Sequence, residues 1–236
     1  MSMTSGQQAN VGDPAVVPQK LPRLEAGDRL DQPTFHARYE AMPSGFRAEL
    51  IDGVVHVPSP VQLPHMRSQA DVLYWVQTYG IATPVAEGYA SGTVILDIKN
   101  EPEPDALLVL KTEFGGRTRA VDNYLHGSPE LAAEIASSTE SHDLHRKKPV
   151  YERAGIQEYL VVAVRQQLVY WFRLQEGVYV PITPDDQGIL KSVIFPGLWL
   201  DSAALLKGEM QRVVEVLRRG LESPEHKQWL AGLTGK

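Results

Sequence analysis

The sequence predicts an α+β fold close to the α/β type, in which helices flank a mixed central β-sheet. Short runs of β-branched and aliphatic residues alternate with segments whose apolar residues recur at helical spacing. Hairpin signals occur on both sides of a centre whose strands are linked by helices. A sheet that combines these two kinds of connection is typical of the mixed class.

Composition narrows the classes of protein and site. The chain has 236 residues, which suits one main domain, and it contains no cysteine. Disulfides, thiolate metal sites and cysteine nucleophiles are therefore excluded, and any metal must be held by oxygen or imidazole ligands. The formal net charge of -6 weighs against a strongly positive nucleic-acid-coating surface, although a local basic groove is compatible with it. The chain has neither a signal-peptide pattern nor an apolar run of the ~20 residues that a membrane helix needs, so we expect a cytoplasmic location and no membrane partner.

Three regions are expected along the chain. Residues 1–25 are largely polar and small without periodicity, which is typical of a flexible lead-in. Residues 26–206 hold the strand and helix signals of the main domain. Residues 207–236 read as a helical extension. The last long helix carries apolar residues on one face, which predicts either intramolecular packing or a dimer contact; these are Leu206, Met210, Val213 and Leu217.

The first half of the main domain has clear local signals. Asp31 is a suitable N-cap for a short helix, with Pro33 in its first turn. Asp52-Gly53 between two β-rich runs predicts a hairpin. A helix is expected from about His65 to Tyr79, and two strands follow it, "ASGTVILDI" and "PDALLVL". The next segment, "TEFGGRTRAVDNYLHGSP", reads as a polar surface loop.

The second half begins with the apolar strand "LAAEIA", followed by a helix that should end at Gly155. Pro149 is compatible with that helix only near its start or at a kink. A hairpin around Arg165-Gln166-Gln167 and a third strand, "GVYVPI", complete the expected sheet.

Glu134 stands out because it is a carboxylate in the middle of this apolar strand. Burying an ionised carboxylate is costly unless it is paired, hydrogen-bonded or bound to a metal. Asp105 opens the earlier strand "DALLVL", and Lys147 follows Glu134 by 13 positions on the helix. If the two strands are neighbours, both carboxylates reach one spot that suits Mg²⁺, with the lysine close by. Metal-dependent phosphodiester hydrolysis is the chemistry such a set supports.

Each residue also has a purely structural interpretation. Asp105 after a proline is often a turn residue that hydrogen-bonds its own backbone. Lys147 alone is typical of an exposed surface lysine, and Glu134 is compatible with a buried pair to an arginine. These alternatives stay open at the level of spacing.

Several segments resemble, in order, the landmarks of the Uma-two family, which is classed with the restriction endonucleases in the PD-(D/E)XK nuclease superfamily. They are "AELIDGVVHVPSP", "PDALLVL", "EIASSTESHDLHRKKPVYERAGIQEYLVV" and "FPGLWLD". The resemblance covers about residues 35–206. It implies a restriction-endonuclease-like core and a site for Mg²⁺, with Mn²⁺ as a substitute, at one edge of the sheet.

The resemblance also implies roles for individual residues. Pro104-Asp105 matches the family's "PD", and Glu134 matches its second acid. Superfamily members often carry a lysine two positions after that acid, where this chain has Ala136. The resemblance implies that Lys147, or the adjacent Lys148, replaces it from the helix.

Further site residues follow from the same resemblance. Glu49 matches another family acid. His65 and Gln69 match polar positions that line the cleft. The leading hypothesis is a metal-dependent endonuclease acting on DNA as a homodimer, with Asp105, Glu134 and the backbone carbonyl of Ile135 as metal ligands and Lys147 assisting the water and the transition state.

Two alternatives remain. One is a nuclease-like module that binds nucleic acid or protein without cutting, and the other is a scaffold whose terminal helix forms a dimer.

Overall fold

The computed structural model describes residues 21–136 and 143–235. Residues 1–20, most of the predicted lead-in, lie outside this part. So do residues 137–142, where the helix after the Glu134 strand was expected to begin.

The described residues form six α-helices. These are α1 (Gln32–Glu40), α2 (Leu63–Ala82), α3 (Lys148–Ala154), α4 (Ser202–Lys207), α5 (Met210–Leu221) and α6 (Pro224–Thr234). The side chain of Asp31 caps α1 by accepting a hydrogen bond from the amide of Thr34 at 3.0 Å, as its sequence position predicts. A π-helical turn (Asp143–Lys147) leads into α3, and a 3₁₀ turn covers Thr112–Phe114. None of the described helices is long and apolar enough to cross a membrane.

Thirteen strands are formed by the described residues. They are β1 (Glu49–Ile51), β2 (Val54–His56), β3 (Ala86–Ala90), β4 (Val94–Ile95), β5 (Ala106–Leu110), β6 (Arg119–Val121), β7 (Tyr124–His126), β8 (Leu131–Ala136), β9 (Glu158–Ala163), β10 (Leu168–Gln175), β11 (Val178–Pro181), β12 (Ile189–Lys191) and β13 (Trp199–Asp201). In the hairpin β1–β2, Asp52 and Gly53 both adopt positive φ, 51° and 73°, as a tight two-residue turn requires.

The central sheet has six strands in the order β11-β10-β9-β8-β5-β3. Strands β8 and β9 are parallel, and α3, which lies between them in the chain, forms part of the crossover that a parallel pair needs. The other four neighbouring pairs are antiparallel. Every residue of β8 and β9 is buried, as expected for strands covered on both faces. The predicted mixed sheet flanked by helices is therefore confirmed.

Alternation along β8 divides its side chains between the two faces of the sheet. Leu131, Ala133 and Ile135 join a core formed with α2 and α5. Ala132 and Ala136 join a second core, formed with α3 and β9. Glu134 belongs to this second face by its position in the strand. A third, smaller cluster joins α1 to the β1–β2 hairpin.

The apolar stripe of the terminal helices, Leu206, Met210, Val213 and Leu217, packs against the core of the protein. Val213 and Leu217 are fully buried in the same core as Trp75 of α2. Leu206 and Met210 are partly buried against that core. The stripe therefore packs within the chain and is not a free dimer contact.

Some expected boundaries differ from the structure. The segment predicted as a polar loop contains the short hairpin β6–β7, which pairs with β4 in a three-stranded sheet. Its turn uses Asp122 and Asn123 at positive φ rather than an Asp-Gly pair, and three-residue strands carry too little periodicity to detect. The long strand expected in "ASGTVILDI" is reduced to β4. The terminal helix is divided into α4 and α5 at Gly208 and Glu209.

Candidate active site

The register of β5 and β8 places the two predicted carboxylates opposite each other on neighbouring strands. The antiparallel ladder pairs Ala106 with Ala133, so Asp105, directly before β5, continues the register opposite Glu134. Residues that pair across an antiparallel ladder point to the same face, which here is the face of α3. Asp105 Oδ2 accepts a hydrogen bond from the amide of Ile135 at 2.8 Å, which fixes this carboxylate against β8.

Lys147 lies against the same carboxylates. Its Nζ is 2.9 Å from Oε1 of Glu134 and 2.7 Å from Oε1 of Glu49. The lysine side chain is 5% exposed, which is uncommon for an ammonium group and is explained by these two negative partners. Glu134, at 4% exposed, is thus paired with a cation, but the cation is this lysine and not an arginine.

The local helix geometry separates Lys147 from its neighbour. Lys147 is the last residue of the π-helical turn, and α3 starts at Lys148. Pro149 lies in the first turn of α3, where a residue without an amide hydrogen is tolerated. The Nζ of Lys148 lies 4.3 Å from the centre of the Phe172 ring, a cation–π contact away from the carboxylates. Of the two adjacent lysines, only Lys147 contacts Glu134 and Glu49.

Tyr151 is a member of this cluster that sequence reasoning missed. It follows Lys147 by four positions, and its hydroxyl donates a hydrogen bond to Oε1 of Glu134 at 2.8 Å. Burial, and next the charge of Glu134, raise the pKa of Tyr151 well above its ordinary value. The hydroxyl therefore stays protonated and remains a donor. Its spacing from Lys147, one helical turn, was the signal that could have revealed it.

Glu49 enters the cluster from the β1–β2 hairpin. Its Oε1 accepts hydrogen bonds from Lys147 Nζ and from the amide of Glu103, the latter at 2.7 Å. Glu49 is the first residue of β1, so its predicted position on a strand is observed. The lysine is held between a strand of the hairpin and a strand of the central sheet.

Helix α2 supplies two neighbours of Asp105. Gln69 Nε2 donates to Asp105 Oδ1 at 3.0 Å and to Ser91 Oγ at 2.6 Å. His65 Nε2 lies 3.4 Å from the same Oδ1. Both residues that the family resemblance assigned to the cleft therefore contact its aspartate.

Arg47 and Glu103 form a further charged pair at the edge of the site. Arg47 Nε donates to Glu103 Oε2 at 2.9 Å, and its side chain is 44% exposed. Burial lowers the pKa of Arg47, but the hydrogen bond to Glu103 and the charges of Glu103, Asp105 and Glu49 outweigh it and raise the pKa overall. Arg47 thus presents a permanent positive charge beside the carboxylates. Sequence reasoning missed this pair, although both residues flank the predicted acids.

The donor set is suited to a hard cation that keeps part of its water shell. Within residues 21–136 and 143–235, no three histidine, aspartate or glutamate side chains form a group able to hold a metal by themselves. Two carboxylates and one backbone carbonyl are nevertheless compatible with Mg²⁺, which is usually bound through one or two carboxylates with waters and substrate phosphate. Asp105, Glu134 and the carbonyl of Ile135 fit that description.

Comparison with known proteins supports the same reading of the fold. The sequence profile of the Uma2 family, described as "Putative restriction endonuclease", matches residues 33–203. The chain belongs to the Uma2 family. This match covers the four charged residues of the cluster and ends before α5 and α6. They are Glu49, Asp105, Glu134 and Lys147. The resemblance drawn from the sequence motifs is confirmed.

One solved structure similar to this Uma2 chain is described as "a putative nuclease belonging to DUF820" from Anabaena variabilis ATCC 29413. The two share 14% sequence identity with a TM-score of 0.54, over 72% of this chain and 97% of that one. At this identity the likeness supports the fold alone. No curated protein sequence matches the chain.

Proposed function

We propose that this Uma2 protein is a metal-dependent nuclease that hydrolyses phosphodiester bonds in DNA. The observation that carries the proposal is that Asp105 and Glu134 stand opposite each other on neighbouring strands, with Lys147 Nζ 2.9 Å from Glu134. The family description and the nuclease fold support a nuclease. The metal and the DNA substrate are our own inference from the chemistry of the cluster.

Asp105 and Glu134 would hold Mg²⁺, or Mn²⁺ in its place, with the carbonyl of Ile135 as a third ligand. A divalent ion bound there would polarise the scissile phosphoryl group and lower the pKa of a bound water. The amide of Ile135 and the side chain of Gln69 hold Asp105 in position through one oxygen each. The carboxylate orientation is therefore set before substrate binds.

Lys147 would supply a fixed positive charge. Its ammonium is buried and held by two carboxylates, so it needs little reorganisation when negative charge grows on the phosphate oxygens. Glu49 anchors the ammonium from the hairpin side, and Tyr151 orients Glu134 from the helix side. In this proposal Lys147 assists the attacking water, while Glu49 and Tyr151 act as positioning residues.

Arg47 is suited to a phosphate next to the reacting one. Its guanidinium is half-exposed beside the cluster, and arginine binds phosphate oxygens in a bidentate manner. A homodimer in the cytoplasm, expected from the sequence, remains part of the proposal, but its contact would lie outside the apolar stripe of the terminal helices, which packs within the chain. Sedimentation of the purified protein tests the dimer separately.

The experiment is DNA cleavage by purified wild-type protein and the variants Asp105→Ala, Glu134→Gln and Lys147→Ala, with and without Mg²⁺ or Mn²⁺. We expect metal-dependent cleavage by the wild type and none by the three variants. Glutamine at position 134 keeps an acceptor for Lys147 and Tyr151, so a folded variant is expected, and thermal unfolding checks it. Lys148→Ala is the matched control and should cleave normally. Wild-type rates in all three site variants would refute the mechanism.

A second function is favoured by one observation. Lys147 Nζ forms ion pairs with Glu134 and Glu49, so both carboxylates have a cationic partner within the protein itself. In a module that binds nucleic acid or protein without cutting, these ion pairs would have a structural role alone. Calorimetric titration with Mn²⁺ distinguishes the two functions. A metal-dependent nuclease should bind Mn²⁺ in the wild type and bind it much more weakly in Asp105→Asn, whereas a binding module has no need of such affinity.

A further inference from the structure

A cavity of about 360 Å³ opens beside the candidate active site. One wall is the end of β3 with the turn that follows it, the opposite wall is the β6–β7 hairpin, and Leu107 of β5 lies at its floor. This volume falls within the range of pockets that bind small organic groups. The mechanism proposed for the carboxylate cluster makes no use of it.

The cavity lies on the same face of the sheet as the carboxylates. Leu107 follows Asp105 by two positions along the strand, so the two side chains point the same way, roughly 7 Å apart along the chain. In the neighbouring ladder Tyr89 pairs with Leu107. The floor of the cavity is therefore next to Asp105 on the same face of the strand, two residues further along the chain.

A hydrogen-bonded bridge joins the cavity wall to Asp105. Ser91 lies between Ala90 and Gly92, which both line the cavity. Gln69 donates to Ser91 Oγ at 2.6 Å and to Asp105 Oδ1 at 3.0 Å. The amide of Gln69 thus fixes the distance between the wall and the candidate metal ligand.

Aromatic and amide groups line the cavity. Tyr89 is 40% exposed, and Tyr124 is half-buried with its ring held edge-on to His36 at a centroid distance of 4.5 Å. Asn123 sits at the tip of the β6–β7 turn with φ of 67° and contributes an amide group. The described lining residues include no charged side chain. Such a lining favours a flat, uncharged ring with polar edges over a phosphate.

From this arrangement we infer that the cavity binds one unstacked nucleobase of the DNA strand whose phosphodiester bond lies at Asp105 and Glu134. The inference rests on the proposed nuclease function. Aromatic side chains stack on any base, and an asparagine amide offers one donor and one acceptor to a base edge. A base can enter only if it is unpaired, so the preferred substrate is single-stranded DNA or duplex DNA with a base turned out next to the cut.

The test uses a single-stranded oligonucleotide in which one nucleotide at a time is replaced by an abasic spacer, and the cleavage products are mapped. For the wild type we expect cleavage to fall about tenfold at one bond, at a fixed offset from each spacer, because one stacked base is lost. Tyr89→Ala should cleave the intact strand about tenfold less well than the wild type. In this variant the position of the abasic spacer should make no further difference to cleavage. Tyr74→Ala, which removes an exposed ring of α2 that does not line the cavity, is the matched control and should behave like the wild type.

A second variant blocks the cavity instead of removing a wall. Ala120 is exposed and lines the cavity, so Ala120→Trp fills it without disturbing the core. It should reproduce the Tyr89→Ala pattern. Ala231→Trp, an exposed alanine on α6, is the matched control and should cleave like the wild type. Cleavage that ignores the spacer at every position, or normal cleavage by Tyr89→Ala and Ala120→Trp, would overturn the base-binding inference while leaving the nuclease function intact.

The inference is also testable if no DNA is cleaved, an outcome that would refute the proposed function instead. An oligonucleotide that carries 5-iodouracil is irradiated with the wild-type protein in the absence of metal, and cross-linked peptides are identified by mass spectrometry. Cross-links to Tyr89 or Tyr124 would support a base in the cavity. Cross-links confined to other surfaces, or no cross-link, would contradict it.

Discussion

Lys147 Nζ and Glu134 Oε1 lie 2.9 Å apart, although one residue belongs to a helical turn and the other to a strand 13 positions earlier. In the nuclease superfamily that the sequence motifs resemble, the lysine often stands two positions after the acid. Here that position is Ala136, which is fully buried on the same face of β8 as Glu134. The ammonium therefore reaches the carboxylate from the following helix, and the π-helical turn before α3 sets its position.

The first prediction compares the two adjacent lysines. Lys147→Met should reduce the cleavage rate at least a hundredfold, because it removes a preorganised charge of the kind worth about 10²-fold or more. It also leaves Glu49 and Glu134 without their shared cation, so thermal unfolding is recorded alongside. Lys148→Met, which loses only the contact with Phe172, should keep wild-type cleavage. Equal losses in both variants would contradict the assignment.

The second prediction concerns Tyr151. Tyr151→Phe keeps the buried ring but removes the hydroxyl that donates to Glu134. We expect the unfolding free energy to fall by about 1.5–3 kcal/mol, as for a lost hydrogen bond to a charged group, and kcat to fall about tenfold with KM little changed. Tyr170→Phe on β10 is the control. A change in stability without any change in kcat would show that Tyr151 is only structural.

The third prediction concerns metal binding by Asp105. Asp105→Asn keeps an acceptor for the amide of Ile135 but removes the negative charge, so calorimetry should show Mn²⁺ affinity at least tenfold weaker. Asp97→Asn changes a carboxylate that bonds the nearby Lys99 amide and Asn100, outside the cluster, and should leave the affinity unchanged. Metal binding that survives in Asp105→Asn would place the ion elsewhere.

The fourth prediction concerns Glu158, a fully buried carboxylate on β9 away from the cluster. Burial raises the pKa of Glu158 to about 7, although it accepts hydrogen bonds from Trp171, Ser192 and two backbone amides. The folded state therefore binds this proton more tightly than the unfolded state. Its contribution to stability is complete below the ordinary pKa of 4.5 and is lost as the pH rises to about 7.

This loss should amount to about 3 kcal/mol in the free energy of unfolding. Urea unfolding between about pH 5 and pH 8 measures it in the wild type. In Glu158→Gln the group no longer titrates, so the pH dependence over this window should be smaller by about the same amount. An identical pH dependence in both proteins would show that Glu158 keeps an ordinary pKa.

The sequence carried most of the information needed for the core of the site. Glu134 was conspicuous because a carboxylate interrupts an apolar strand, and Asp105 followed from its position at the start of a neighbouring strand. Spacing did not decide between Lys147 and Lys148, because that choice depends on a π-helical turn that has no simple sequence signal. In the structure Lys147, rather than Lys148, forms ion pairs with Glu134 and Glu49.

The features that escaped prediction depend on tertiary contacts. In the sequence Tyr151 is an ordinary aromatic residue of a helix, and only the folded structure shows that its hydroxyl contacts Glu134. Arg47 and Glu103 are 56 positions apart, so their ion pair is invisible to local patterns. The β6–β7 hairpin is too short and polar to show periodicity, and with it the cavity beside Asp105 was missed.

The proposed nuclease function depends on one divalent ion that binds between Asp105 and Glu134. The most direct measurement is anomalous diffraction from crystals soaked in Mn²⁺. We predict a single strong anomalous peak within coordination distance of both carboxylates, with the Ile135 carbonyl as a further ligand. Carboxylates that stay apart with no peak between them, or a peak at another site alone, would contradict it.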